Sequence, residues 1–353
     1  MQTQNSRANR ILRVILIFFM LLITCSCSPE VVTINQSSVL AGKEFAVVVK
    51  SKNNLYNDRL IEGFIEIIES NGGTVIIRTP TTATAEAQIN IINDLIADNV
   101  ECIAISANSE DALQSVLSEA MEKGIKVLSF DSAVNAQSRL IHVEQAESAN
   151  IGRSMIDAAA EIAGEDGQIA ILSTTNQAKN QNSWIEVIRS ELESGAYPGL
   201  LLVDIVFGED DYDLSYQKAV YLIETYPLLD VIIVPTAAAM PAVAAAICDA
   251  GLSDKIHITG LGLPSDMYEY IGKDKVSPCM FLWNPINLGK LAAYTALGLV
   301  SETNTGGEGE VIEAGEMGNF TVIKDENGGT KIVLQSDPIC FDEQNINDWR
   351  SLF

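Results

Sequence analysis

Lys50, Asp131, the Asn180-Gln181 pair and the turn Pro235-Thr236-Ala237 each stand at or shortly after the end of a short apolar run, and Trp283-Asn284 repeats the pattern later in the chain. An ammonium, a carboxylate and two primary amides supply donors and acceptors for neighbouring hydroxyls. An indole supplies a flat apolar face for the C–H side of a ring. This is chemistry for holding a hydroxyl-rich ligand, not for breaking its bonds. Each residue also has an ordinary reading: Lys50 as a solvated strand end, Asp131 and Asn180-Gln181 as helix caps, Trp283 as core. A carboxylate directly after a buried strand is costly unless paired or solvated, which favours a binding role for Asp131.

Bond-breaking constellations are missing from the sequence. No G-x-G-x-x-G follows the first apolar run, no G-x-S-x-G elbow occurs and no G-x-x-x-x-G-K-[ST] is present; Gly260-Leu261-Gly262 matches only a fragment. His142 and His257 are far apart and sit in or beside apolar runs, so neither a metal site nor a catalytic histidine is expected. Cys102, Cys248, Cys279 and Cys340 are widely scattered, and the first two lie inside apolar stretches. They read as small buried hydrophobes rather than a disulfide framework. The formal net charge of −25 repels nucleic acid and anionic lipid, which excludes a nucleic-acid partner.

What must position these groups is an alternation of strand and helix. Phe45 to Val49, Thr74 to Ile77, Cys102 to Ile105, Lys126 to Phe130, Gln168 to Leu172, Leu201 to Phe207, Val231 to Val234 and Ile256 to Thr259 read as buried parallel strands. Helices lie between them; in Arg59 to Ser70, Leu60, Phe64, Ile67 and Ile68 share one face. Strands separated by such helices pair in parallel through crossovers, and ligands of open parallel sheets bind beyond the carboxyl ends of the strands. The chain has 353 residues, and the roughly 325 that remain without the export signal described below exceed one comfortable core. The expected fold class is therefore α/β, with two doubly wound parallel-sheet lobes joined by a hinge. Residues 44–146 with 279–311 are expected to form the N-terminal lobe, and 147–278 with 312–353 the C-terminal lobe. Crossings are expected near Val143 to Ala149, Pro278 to Pro285 and Val311.

Ahead of this pattern, Arg7, Arg10 and Arg13 precede the uncharged apolar run Val14 to Ile23, the shape of an export signal. The run ends in Leu22-Ile23-Thr24-Cys25-Ser26-Cys27, which resembles a lipobox. Residues 1–27 thus read as a lipoprotein signal peptide acylated at Cys27 or Cys25, and residues 28–43, rich in Ser, Thr, Asn and Gln, as a flexible tether.

The segments Lys126 to Ser132, Asn180 to Trp184, Ile232 to Ala242 and Phe281 to Gly289 together resemble the type I periplasmic solute-binding proteins of ABC importers, and within them the branch that binds autoinducer-2 or rhamnose. The resemblance implies a monomeric, lipid-anchored, extracytoplasmic receptor that closes on its ligand and docks on a permease with its ATPase. An autoinducer-2 receptor, or a partner of a membrane sensor kinase, is the competing role. In the autoinducer-2 receptors the resemblance implies ligand contacts at Lys50, Asp131, Asn180, Gln181, Pro235 and Ala237. Asn180 and Thr236 stand where that pattern has acids, whereas Leu282-Trp283-Asn284-Pro285 resembles the rhamnose-binding relatives. The resemblance thus tilts the ligand toward rhamnose or a similar deoxy-sugar, with Trp283 and Asn284 added to the site.

Overall fold

The computed structural model describes residues 40–353 apart from residue 165; the expected signal peptide, Cys25, Cys27 and most of the expected tether lie outside the described residues. The tether ends sooner than expected, because Leu40 is already buried in the core and its carbonyl accepts from Lys43 N at 3.0 Å.

Two lobes share the chain. The first is built on a seven-stranded sheet whose strands lie side by side in the order 323–324, 330–335, 141–146, 126–130, 102–105, 44–48 and 74–78, and the second on a four-stranded sheet in the order 200–207, 167–173, 229–234 and 257–260. In the first lobe, β1 (Glu44–Val48), β2 (Thr74–Arg78), β3 (Cys102–Ile105), β4 (Lys126–Phe130) and β5 (Ile141–Ala146) run parallel. Their alternation explains the near-continuous apolar runs: Phe45 and Val47 face one helical layer, while Ala46 and Val48 face the other. The first layer holds α1 (Leu55–Ser70), and the second holds α2 (Ala85–Asp98) and α3 (Gln114–Glu122). Gln88 on α2, fully buried, ties two strand ends together: its amide donates to Val49 O at 3.2 Å and Ser106 O at 2.8 Å and accepts from Asn108 N at 2.8 Å. Asn108 in turn donates to Lys50 O at 2.9 Å, which fixes the backbone that carries the Lys50 side chain.

After α4 (Ser148–Ala163) the second lobe runs β6 (Gly167–Ser173), α5 (Lys179–Glu193), β7 (Leu200–Phe207), α6 (Tyr212–Thr225), β8 (Leu229–Val234), α7 (Met240–Asp249) and β9 (His257–Gly260), again in parallel. Following the short α8 (Pro264–Met267), β10 (Met280–Leu282) stays with this lobe through a bridge between Leu261 and Phe281. The chain then crosses at residues 283–284 into α9 (Pro285–Val300), which packs along α1.

The last crossing corrects the expected boundary. Beyond β11 (Val311–Glu313) and β12 (Asn319–Thr321), which pair with each other, β13 (Ile323–Lys324) and β14 (Thr330–Gln335) join the first sheet, with β14 parallel to β5. Residues 323–335 therefore belong to the first lobe. The final crossing lies between β14 and β15 (Ile339–Phe341), not near Val311; β15 pairs with β10, and α10 (Ile346–Trp349) follows. Lys331 explains the attachment: its ammonium lies 2.6 Å from Glu144 on the neighbouring β5 and 3.2 Å from Glu326, an arrangement that a polar strand can adopt only with its charges paired. The cysteine expectation also needs correcting. Cys102 is buried, but Cys248 and Cys340 are exposed and Cys279 is half-buried, and all four are free thiols.

Candidate functional site

The carboxyl ends of both sheets face one cleft, with about 420 Å³ of empty space when the solvent at its mouth is counted. Lys50, Tyr56 and Asp131 enter from the first lobe. Asn180, Gln181, Trp184, Asp210 and the turn Pro235-Thr236-Ala237 enter from the second, and Trp283 stands on the crossing between them.

On the first side, Asp131 directly follows β4 and adopts a left-handed backbone (φ 59°), uncommon for a residue with a Cβ. Its Oδ1 accepts from Tyr56 OH at 3.0 Å and its Oδ2 from Ser106 Oγ at 2.7 Å, while Lys50 Nζ stands 3.8 Å from Oδ2. Trp283 Nε1 donates to Tyr56 OH at 2.8 Å, so the crossing segment, α1 and β4 are joined by one relay. Burial, reinforced by the Asp131 charge, holds the Tyr56 phenol well above its ordinary pKa, so it remains a donor.

The second side is organised by the start of α5. Asn180 Oδ1 accepts from Lys50 Nζ at 3.2 Å, across the cleft, and from Gln181 N at 2.9 Å. Gln181 is a clamp: its Oε1 accepts from Ser173 Oγ at 2.6 Å and Thr174 N at 2.9 Å, and its Nε2 donates to Thr174 Oγ1 at 2.8 Å. Thr174 passes the polarity on to Asp210 Oδ1 at 2.7 Å, and Thr236 Oγ1 donates to the same oxygen at 2.6 Å. At the rim, Lys179 and Glu110 form a second contact between the lobes at 2.9 Å. Trp184 and Trp283 form an aromatic wall with ring centroids 5.9 Å apart and a 59° tilt.

Of the residues expected from the sequence, Lys50, Asp131, Asn180, Gln181, Pro235, Ala237 and Trp283 meet in this cleft. Asn284 does not. Pro285 opens α9, and Asn284 is its N-cap, with Oδ1 accepting from Asn287 N at 3.1 Å. Tyr56, Trp184 and Asp210 were not singled out as site residues, although Asp210 follows β7 and the strand-end rule applies to it as to the others. His142 lies behind the cleft beside Arg139 and Lys331; its Nδ1 is 2.9 Å from Ser129 Oγ, and burial, with Arg139 adding to it, pushes its pKa down to about 3. Among the described residues no group of histidine, cysteine and acidic side chains is arranged to hold a metal.

Two doubly wound lobes, three crossings and a polar cleft fed from both sides are the architecture of a two-lobed binding protein. Residues 45–304 match the periplasmic binding protein domain, and the chain belongs to that family of binding proteins, which are not enzymes. An ABC transporter solute-binding protein from Clostridium phytofermentas with bound L-rhamnose is 40% identical; the match covers 89% of this chain and all of that one with a TM-score of 0.86. LsrB from Clostridium saccharobutylicum in complex with AI-2 shares the fold at 20% identity, covering 87% and 99% of the two chains with a TM-score of 0.81. The D-xylose-binding periplasmic protein of Haemophilus influenzae is 33% identical over 72 residues, 20% of this chain and 21% of its own length.

Proposed function

We propose that the protein is the extracytoplasmic solute receptor of an ABC importer and captures a neutral monosaccharide, L-rhamnose or a similar deoxy-sugar, by closure of its lobes. The observation that carries this reading is the division of the cleft: Lys50 and Asp131 on one lobe and Asn180, Gln181 and Asp210 on the other leave no complete site on either alone. A ligand that bridges them gains most of its contacts only in the closed state and so shifts the population toward it. Trp283 and Trp184 offer the apolar face that a deoxy-sugar methyl and ring C–H groups require. The 40% identity to the rhamnose-bound receptor supports the same ligand.

The retained Lys50, Asp131, Gln181, Pro235 and Ala237 also suit autoinducer-2, which is the competing ligand. A thermal-shift panel of L-rhamnose, ribose, xylose and autoinducer-2 separates them, because a ligand at 100 times its Kd stabilises the bound form by about 2.7 kcal/mol. A shift with rhamnose is expected; a shift with autoinducer-2 alone would reverse the ligand, and no shift at all would refute the sugar reading.

Anchoring by acylation at Cys27, or at Cys25, belongs to the same proposal and is supported by the Leu22 to Cys27 pattern. Among the described residues no helix is long and apolar enough to cross a membrane. Metabolic labelling with a fatty-acid analogue is expected to tag the wild type and not a variant with both cysteines changed to serine. A receptor of this kind acts as a monomer, and its closed form is what the permease reads.

A further inference from the structure

We propose that Asp210 sets the charge class of the ligand: it is a second ligand-binding carboxylate that makes the closed cleft selective for neutral hydroxylated rings and excludes acidic ones. The inference rests on the reading of the cleft as a neutral-sugar site and extends it to a residue and a selectivity which that reading does not contain. Asp131 and Asp210 are built alike on opposite lobes. Each follows a parallel strand, each has a left-handed backbone (φ 59° and 53°), and each is held by two hydroxyl donors, Tyr56 and Ser106 for one, Thr174 and Thr236 for the other. The difference is what remains free. Both threonines donate to Asp210 Oδ1, and among the described residues its Oδ2 has no partner, although Asp210 lines the cleft. Oδ2 is thus available to accept from ligand hydroxyls, and the two threonine hydroxyls fix the plane in which it does so.

The charge balance follows. The lining contains two carboxylates, Asp131 and Asp210, and a single cation, Lys50, which is already placed against Asp131. Asp210 therefore stands without a compensating charge in a cleft that loses its water on closure, where a ligand carboxylate or phosphate meets strong like-charge repulsion and a hydroxyl donor is welcomed. The same arrangement gives a reason for threonine in the turn after β8. An aspartate at position 236 would set a second carboxylate against Asp210 Oδ1, whereas the Thr236 hydroxyl donates to it.

The test is titration calorimetry of the wild type and of Asp210→Asn with L-rhamnose and with L-mannuronate, the ring acid that carries a carboxylate where rhamnose has its methyl, alongside melting of each unliganded protein. Wild type is expected to bind rhamnose and to bind mannuronate far more weakly, the weak affinity being read by competition against rhamnose. Asp210→Asn is expected to melt like wild type, to bind rhamnose about tenfold or more weakly, and to narrow the gap between sugar and acid. Rhamnose affinity within about twofold of wild type, or equal weakening of both ligands, overturns the proposal, since a structural role predicts no change in the sugar-to-acid ratio. A variant that melts early is replaced by Asp210→Ser and judged on the same ratio. If the wild type binds autoinducer-2 and not rhamnose, the ligand reading alone fails and Asp210→Asn is judged by its loss of autoinducer-2. If the wild type binds neither, both readings fall.

Discussion

Trp283 donates its indole N–H to the hydroxyl of Tyr56 at 2.8 Å, and the two rings meet edge to face with centroids 6.2 Å apart. Trp283 lies on a crossing between the lobes and Tyr56 on α1 of the first, so the hinge region and the carboxylate that Tyr56 serves are mechanically one unit. A ligand that touches Asp131 bears on the same relay that sets the crossing segment.

Tyr56→Phe tests that relay. The substitution keeps the ring but strands the Trp283 N–H and removes one donor from Asp131, which costs about 1–3 kcal/mol for a buried group left unpaired. Ligand affinity is expected to fall roughly 5- to 150-fold, in line with the same range. An unchanged Kd by calorimetry would show that the relay is packing alone.

Asp131→Asn is expected to cost more. It removes the charge that Lys50 faces and turns one accepting oxygen into a donor against Tyr56 or Ser106. The expected loss is about 2–4 kcal/mol of binding free energy with the fold preserved. A variant that binds L-rhamnose as well as wild type while remaining folded by circular dichroism would remove Asp131 from the site.

The lobes, the parallel strands and most of the cleft were legible because buried parallel strands print as continuous apolar runs and their ends mark the ligand edge. Lys50, Asp131, Asn180, Gln181, Pro235 and Ala237 all stand at such ends. Tyr56 was not legible: it opens a helix whose pattern is that of ordinary core, and its polar role depends on Trp283, distant in sequence. Asn284, an asparagine before a proline, caps α9 and is not among the residues that line the cleft. Strand β14 was missed because its charges, Lys331 above all, look like a solvated edge until Glu144 is seen across from it.

Close approach of α1 and α9 offers a test of how the relay is positioned. Gly63 lies against the Ile286 carbonyl and Gly289 against the Leu60 carbonyl, and a Cβ at either position would overlap backbone that cannot yield without separating the helices. Since α1 carries Tyr56 and α9 begins just after Trp283, separation acts on the relay as well as on the core. Gly289→Ala is expected to destabilise the protein by about 1–3 kcal/mol through overpacking. It should also weaken ligand binding, although residue 289 is outside the cleft lining. Wild-type melting and affinity in this variant would mean that the helices are less tightly apposed than the geometry requires.

Acid lability is the last expectation, and its source is His142. The ring is buried among Arg139, Lys331 and Asp325, with Ser129 on Nδ1, and burial first, then Arg139, lowers its pKa to about 3. Between the ordinary histidine value of about 6.5 and this depressed one, the unfolded chain binds a proton that the folded chain refuses. Stability should therefore decline as pH falls below about 6.5, by at most about 1.4 kcal/mol per pH unit from this group. Glu144 works in the opposite sense: burial raises its pKa, so the stability it withholds at neutral pH is partly recovered in acid. Comparing wild type with His142→Asn separates the two, because Glu144 is common to both. Melting temperatures recorded from pH 7 to pH 4 are expected to fall more steeply for wild type than for the variant. Parallel curves would show that His142 takes up its proton in the fold and that the acid sensitivity has another origin.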